Sequence, residues 1–139
     1  MVPKPVAPPV ADTANFTFSL GQVEILYQDG ARSFLFLTVP PTNRSPLILQ
    51  QGFNSVPLIT AALADYNAQL ADSVRAFQDS HSDLDQVTVF DTQPIFNTLL
   101  DNADAFGFAN STGFCEAYQN GTPGQTTQIA PCAPVSSYL

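Results

Sequence analysis

Apolar and polar residues recur along this chain with two different periods, and the points where the period changes mark its elements. From Leu20 to Asp29 the apolar positions are Leu20, Val23, Leu26 and Tyr27, a helical spacing. Gly30 follows where a helix end takes a left-handed residue. Ser33 to Val39 (SFLFLTV) is apolar apart from Ser33 and Thr38, the pattern of a strand covered on both faces by helices. Pro40 and Pro41 cannot donate ladder hydrogen bonds and end that strand. Asn54 or Ser55 caps a long helix with Pro57 in its first turn. Its stripe is Ile59, Leu63, Tyr66, Leu70, Val74 and Phe77, while Asp65, Asp72 and Arg75 fall off the stripe and face water. A second strand runs from Gln86 to Asp91 (QVTVFD). Asp91 or Thr92 then caps a short helix from about Pro94 to Asp101, with Ile95, Phe96, Leu99 and Leu100 facing inward.

The order helix, strand, helix, strand, helix predicts a βαβ unit with flanking helices, hence an α/β chain whose parallel strands are joined by a right-handed crossover. In an open parallel sheet, ligands bind outside the carboxyl ends of the strands. The segments "PPTNRSP" (residues 40–46) and "FDT" (residues 90–92) both fall on that edge. Pro40, Pro41 and Arg44, in the first of these segments, are therefore expected on the rim of any active site the sheet carries, the prolines ending the strand. No internal repeat is visible. From Asn102 onward the chain is rich in Gly, Pro, Ser, Thr and Asn and reads as a long loop.

Composition narrows the partners. Four basic against 12 acidic side chains give a formal charge of -8, which speaks against nucleic acid and against anionic membrane surfaces. A hydrophobic share of 45% and 11 Phe are globular values, and no apolar run reaches the roughly 18 residues of a membrane span. Residues 1–19 form a proline-rich lead-in, expected to be poorly ordered, that lacks the ~7–15-residue apolar core of a secretory signal. Yet there are Asn-x-Ser/Thr sequons at Asn15, Asn43, Asn110 and Asn120. Pro46 and Pro123, directly after two of them, disfavour Asn43 and Asn120, leaving Asn110 first and Asn15 next as glycan acceptors.

Candidate chemistry is sparse. His81, the single histidine, lies in "QDSHSDLD" and invites a Ser-His-Asp reading. It follows a helix and precedes a strand, so it belongs to the amino edge, away from ligand. A surface histidine favoured by the helix dipole is the better account. Asp91 is on the correct edge, where helix capping explains it. Asp83 and Asp85 read as a solvated acidic turn. Cys115 and Cys132 are too few and too far apart for zinc or a thioredoxin-like motif, and a structural disulfide is the default. No Gly-rich phosphate loop follows either strand, so no cofactor or metal is expected, and no complete active site is assembled.

"GARSFLFLTVPPTNRSP" (residues 30–46) nevertheless resembles the strand and Pro-Pro-x-x-Arg-Ser-Pro loop of fungal secreted SGNH (GDSL-type) esterases, most of all the acetylesterases of carbohydrate esterase family 16. The resemblance continues through "YNAQLADSVRAFQDSH", "VTVFDTQPIFNTLLDN" and "AFGFANSTGFCEAYQNGTP", and covers roughly Leu20 to Leu139. It implies a three-layer α/β/α, flavodoxin-like SGNH hydrolase fold, here incomplete, with residues 20–139 as the partial domain. It implies hydrolysis of a small-molecule or carbohydrate ester by a secreted, monomeric parent enzyme. In such enzymes a Gly-Asp-Ser serine attacks, a Gly and an Asn from later blocks help to hold the oxyanion, and a late Asp-x-x-His supplies the base.

None of those motifs occurs in residues 1–139, and Asp79-Ser80-His81 has one intervening residue instead of two. No catalytic residue is carried over; what the resemblance carries over is scaffold, with Arg44 expected to hold the rim loop through hydrogen bonds or a carboxylate. The resemblance thus predicts part of an ester hydrolase, inactive alone. The alternative is a short secreted remnant that binds carbohydrate or protein on the same scaffold.

Overall fold

The computed structural model describes residues 13–124 and 126–138, with side chains described from residue 21 onward. Helix α1 spans Thr13–Gln28, so helix begins well inside the segment read as lead-in; residues 1–12 lie outside the described residues. The helix ends as Gly30 requires. Gly30 has φ +103°, its N–H bonds to Tyr27 O at 3.0 Å, and Ala31 N–H bonds to Leu26 O at 2.9 Å. That pair of bonds is a Schellman cap.

Strand β1 (Ser33–Leu37) and strand β2 (Gln86–Phe90) pair in parallel, Ser33 opposite Gln86 through Leu37 opposite Phe90. Between them come a 3-10 turn (Thr42–Arg44), short helix α2 (Pro46–Gln50) and long helix α3 (Ser55–Ser80). The last regular helix is α4 (Gln93–Asp101). The parallel βαβ unit follows the expected order; α2 was not foreseen, because five residues carry no period to read.

Helix α3 covers one face of the sheet. Val74 is 1% exposed and Phe77 is buried, and the Phe77 ring meets Phe34 edge-on at 5.3 Å and Tyr27 at 6.1 Å. Phe34, Phe36, Val87 and Val89 are half-buried, while the alternate residues of both strands are exposed. The run reads as a strand wanting cover on both faces, and two strands of an incomplete sheet are expected to leave one apolar face bare. Among the described residues the second face is uncovered: Leu35 is 66% and Leu37 58% exposed. α4 does differ from expectation, since Ile95 and Phe96, expected to face inward, are about half exposed. An apolar run shows which residues want cover and says nothing about which segment supplies it. The described residues therefore form two layers, helix on parallel sheet.

The C-terminal loops are stapled by a disulfide between Cys115 and Cys132, whose Cα atoms are 6.0 Å apart. Inside the ring, Tyr118 Oη donates to Ala133 O at 2.6 Å and accepts from Ile129 N–H at 3.1 Å. Asn110 N–H bonds to Ser137 O at 2.9 Å, and Asn110 pairs with Tyr138 in an isolated bridge.

Candidate functional site

The carboxyl edge of the sheet is built from the residues that end each strand. Thr38 N–H extends the ladder to Phe90 O at 3.0 Å. The Thr38 hydroxyl accepts from Thr92 N–H at 2.9 Å and donates to Asp91 Oδ1 at 3.1 Å. Thr92 Oγ1 returns a bond to Thr38 O at 2.9 Å. Both threonines are buried, so the network satisfies groups that water cannot reach. Thr92 is the N-cap residue of α4, but it is the Asp91 carboxylate that takes the Gln93 N–H, at 3.0 Å.

One residue further on, Val39 is gripped from α3. Asn67 Oδ1 accepts from Val39 N–H at 2.8 Å and Asn67 Nδ2 donates to Val39 O at 3.1 Å, so its carboxamide pairs as a neighbouring strand would. Gln93 Nε2 also donates to Val39 O, at 2.7 Å. Pro40 and Pro41 then turn the chain without offering an N–H, and Pro41 is buried. Arg44 closes the loop onto α4: Nη1 donates to Asn97 Oδ1 at 2.8 Å and Nη2 to Asp101 Oδ1 at 2.6 Å.

Two clefts open on this edge. One, of about 510 Å³, has polar walls at Thr38, Asn67, Asp91 and Gln93 and an apolar side at Leu63 and Val89. The other, of about 230 Å³, lies between the rim loop and α4 and is walled by Pro40, Pro41, Arg44, Pro46, Phe96 and Leu100. The sequence places Pro40, Pro41, Arg44 and Asp91 on one edge, and the structure has all four lining one or the other cleft. Asn67 was not foreseen. A polar residue on a helix gives no sign that it will face a strand end.

His81 is elsewhere. It caps the far end of α3, with Nδ1 2.9 Å from Phe77 O and Nε2 3.3 Å from Glu24 Oε2. Its ring packs against Tyr27 at 4.0 Å and Phe77 at 4.6 Å, which makes it an inter-helix contact and not a free surface side chain. Asp83, read as part of a solvated turn, is likewise engaged. It accepts from Tyr27 Oη at 2.5 Å and from Arg32 Nε at 2.8 Å. The Tyr27 hydrogen bond, with Arg32 beside it, holds the Asp83 carboxyl below the usual carboxylate range. The same bond to Asp83 raises Tyr27.

Among the described residues no three His, Cys, Asp or Glu side chains converge as a metal site. Of the sequon residues, Asn43 Nδ2 donates to Thr60 Oγ1 at 2.9 Å, and Asn110 Oδ1 accepts from Thr112 N–H at 3.1 Å and Gly113 N–H at 2.6 Å. Asn15 falls within α1, its side chain outside the described residues. The carboxyl edge thus presents one cleft against α3 and a second between the rim loop and α4. His81, on the opposite edge, does not meet Asp91.

No protein-family model matches the chain. It is similar to an acetylesterase of Thermothelomyces thermophilus, 38% identical over 93 residues, which is 66% of this chain and 30% of that protein. It is also similar to a GDSL esterase/lipase of Arabidopsis thaliana, 30% identical over 126 residues, 85% of this chain and 34% of that protein. The chain spans about a third of the length of the curated relatives it matches. Both relatives are named esterases, one of them of the GDSL type.

Proposed function

We propose that this chain is the rim-bearing scaffold segment of a secreted SGNH-type ester hydrolase, of the acetylesterase kind grouped in carbohydrate esterase family 16. The observation that carries the reading is the similarity to the Thermothelomyces acetylesterase, 38% over 93 residues. The geometry is in keeping with it: a parallel βαβ unit presents two clefts at the carboxyl edge, where such sheets take ligands. The disulfide fits an oxidising compartment. Residues outside 1–139 supply the nucleophilic serine and its histidine base, and Pro40, Pro41 and Arg44 shape the wall against which an ester is held.

The test is hydrolysis of p-nitrophenyl acetate by two proteins. One is the chain itself. The other is a chimaera in which the chain replaces the matching segment of the Thermothelomyces acetylesterase. The chain alone is expected to give no turnover above buffer, and the chimaera to be active. Turnover by the chain alone, with a serine labelled by a fluorophosphonate, would overturn the division of labour; a folded but inert chimaera would count against the scaffold role.

A further inference from the structure

The sequons at Asn15, Asn43, Asn110 and Asn120 share a pattern, but the structure surrounds them differently. A glycan acceptor needs a carboxamide nitrogen free to react and an unblocked hydroxyl two residues on. At Asn110-Ser111-Thr112 both conditions hold. Asn110 Oδ1 takes the N–H groups of Thr112 and Gly113, at 3.1 and 2.6 Å, which fixes the carbonyl end of the amide. Its Nδ2 has no partner among the described residues, where no unpaired side-chain nitrogen or oxygen is cut off from solvent. Thr112 is exposed, and its hydroxyl is likewise without a partner among the described residues. Gly113 makes the room: a Cβ there would stand 2.6 Å from Asn110 Nδ2 and 3.0 Å from Oδ1. The other sequons fail a condition. Asn43 Nδ2 donates to Thr60 Oγ1 at 2.9 Å, which ties that amide to α3. In the Asn120 sequon the Thr122 hydroxyl donates to Gly124 O at 3.2 Å. Asn15 lies inside helix α1, whose regular backbone leaves no place for such a turn.

We propose that Asn110 is the N-glycosylation site of this chain, and that the turn over residues 110–113 holds its amide ready for the transfer. In that transfer Nδ2 attacks the anomeric carbon of an oligosaccharide carried on a lipid pyrophosphate. The new C–N bond replaces the C–O bond to pyrophosphate, whose oxygen keeps the electron pair. Nδ2 gives up one proton to a base of the transferase, and nothing is oxidised or reduced. The turn closes within four residues, so it forms on the emerging chain before the distant bond from Asn110 N–H to Ser137 O, at 2.9 Å, is made. The folded chain loses no hydrogen bond when Nδ2 is substituted, because Nδ2 makes none. Ser111, the middle residue of the sequon, lines the cleft between the rim loop and α4, so the sugar is planted beside that cleft. That donor and transferase are met rests on the secretory reading; the choice among the sequons does not.

The full chain is expressed in a eukaryotic secretory host behind a cleavable export signal, so the compartment is supplied whatever the native route. Lumenal and secreted protein is digested with peptide N-glycosidase in heavy-oxygen water, which leaves a labelled aspartate wherever a glycan stood. Peptide mass mapping is expected to find the label at position 110 in the larger part of the molecules, and at positions 43 and 120 in few. Thr112→Ala is expected to abolish it. Gly113→Val, which crowds the amide out of its turn while leaving the sequon intact, is expected to lower it. An unlabelled position 110 in lumenal protein overturns the proposal, as does a label carried mainly by another sequon. Undiminished label in Gly113→Val overturns the role of the turn. Because export is supplied and no turnover is measured, an inert chimaera or a native chain that is not secreted leaves this readout unaltered.

Discussion

Asp83 and Tyr27 share one short hydrogen bond that ties the start of β2 to the end of α1, and Arg32 joins it from the start of β1 with its guanidinium 4.2 Å over the Tyr27 ring. Asp83 is lowered in the folded chain, so its contribution to stability is present above the usual carboxylate value of 3.8 and is lost as pH falls through the lowered one. Tyr27 is raised, so its contribution is present below 10.0 and is lost as pH rises through the raised value. Thermal midpoints measured across pH are expected to be level between those limits and to fall at both ends. Asp83→Asn should flatten the acid fall and Tyr27→Phe the alkaline one; an acid limb unchanged in Asp83→Asn would show that other carboxylates govern it. At this scale little could be read in advance. Thr38 appeared only as a polar break in an apolar strand, and Asn67 as one more polar residue on a helix. Their partners stand 54 and 28 positions away in sequence, beyond any local pattern.

Among the elements, α3 was the most legible. Its stripe was written by the step of four and three from Ile59 to Phe77, and its water-facing Asp65, Asp72 and Arg75 are exposed. The stripe tightens toward the C-terminal end, where Val74 and Phe77 are buried while Ile59 and Leu63 are only half covered. Phe77 touches three rings, Tyr27, Phe34 and His81, and so joins α1, β1 and α3. Phe77→Ala is expected to cost about 3–5 kcal/mol, a large part of the ~5–15 kcal/mol that holds a domain. Urea denaturation at low protein concentration reads this directly. A loss below about 1 kcal/mol would mean that the aromatic cluster is not the centre of the core. The strands were placed nearly as found; SFLFLTV records a demand for two apolar faces, the described helices meet one of them, and an incomplete sheet leaves the other bare.

For the molecule as a whole, the exposed sheet face and the two open strand edges set the solution behaviour. Leu35, Leu37 and Phe90 lie on one side of a two-stranded parallel sheet, an arrangement that rarely stands alone. The purified chain is expected to associate at micromolar concentration and to bind a hydrophobic dye. The double change Leu35→Lys with Leu37→Lys should shift it toward monomer in light scattering, and association undiminished by that change would place the contact elsewhere. The C-terminal ring has a different consequence. Seventeen positions separate Cys115 from Cys132, and most of the residues between them are exposed. A protease that severs the backbone anywhere inside this ring adds one water to the mass and releases no fragment, because the two new ends stay joined through sulfur. Cleavage there becomes visible as separate peptides only after reduction, so an intact mass on a non-reducing gel does not mean an unbroken chain.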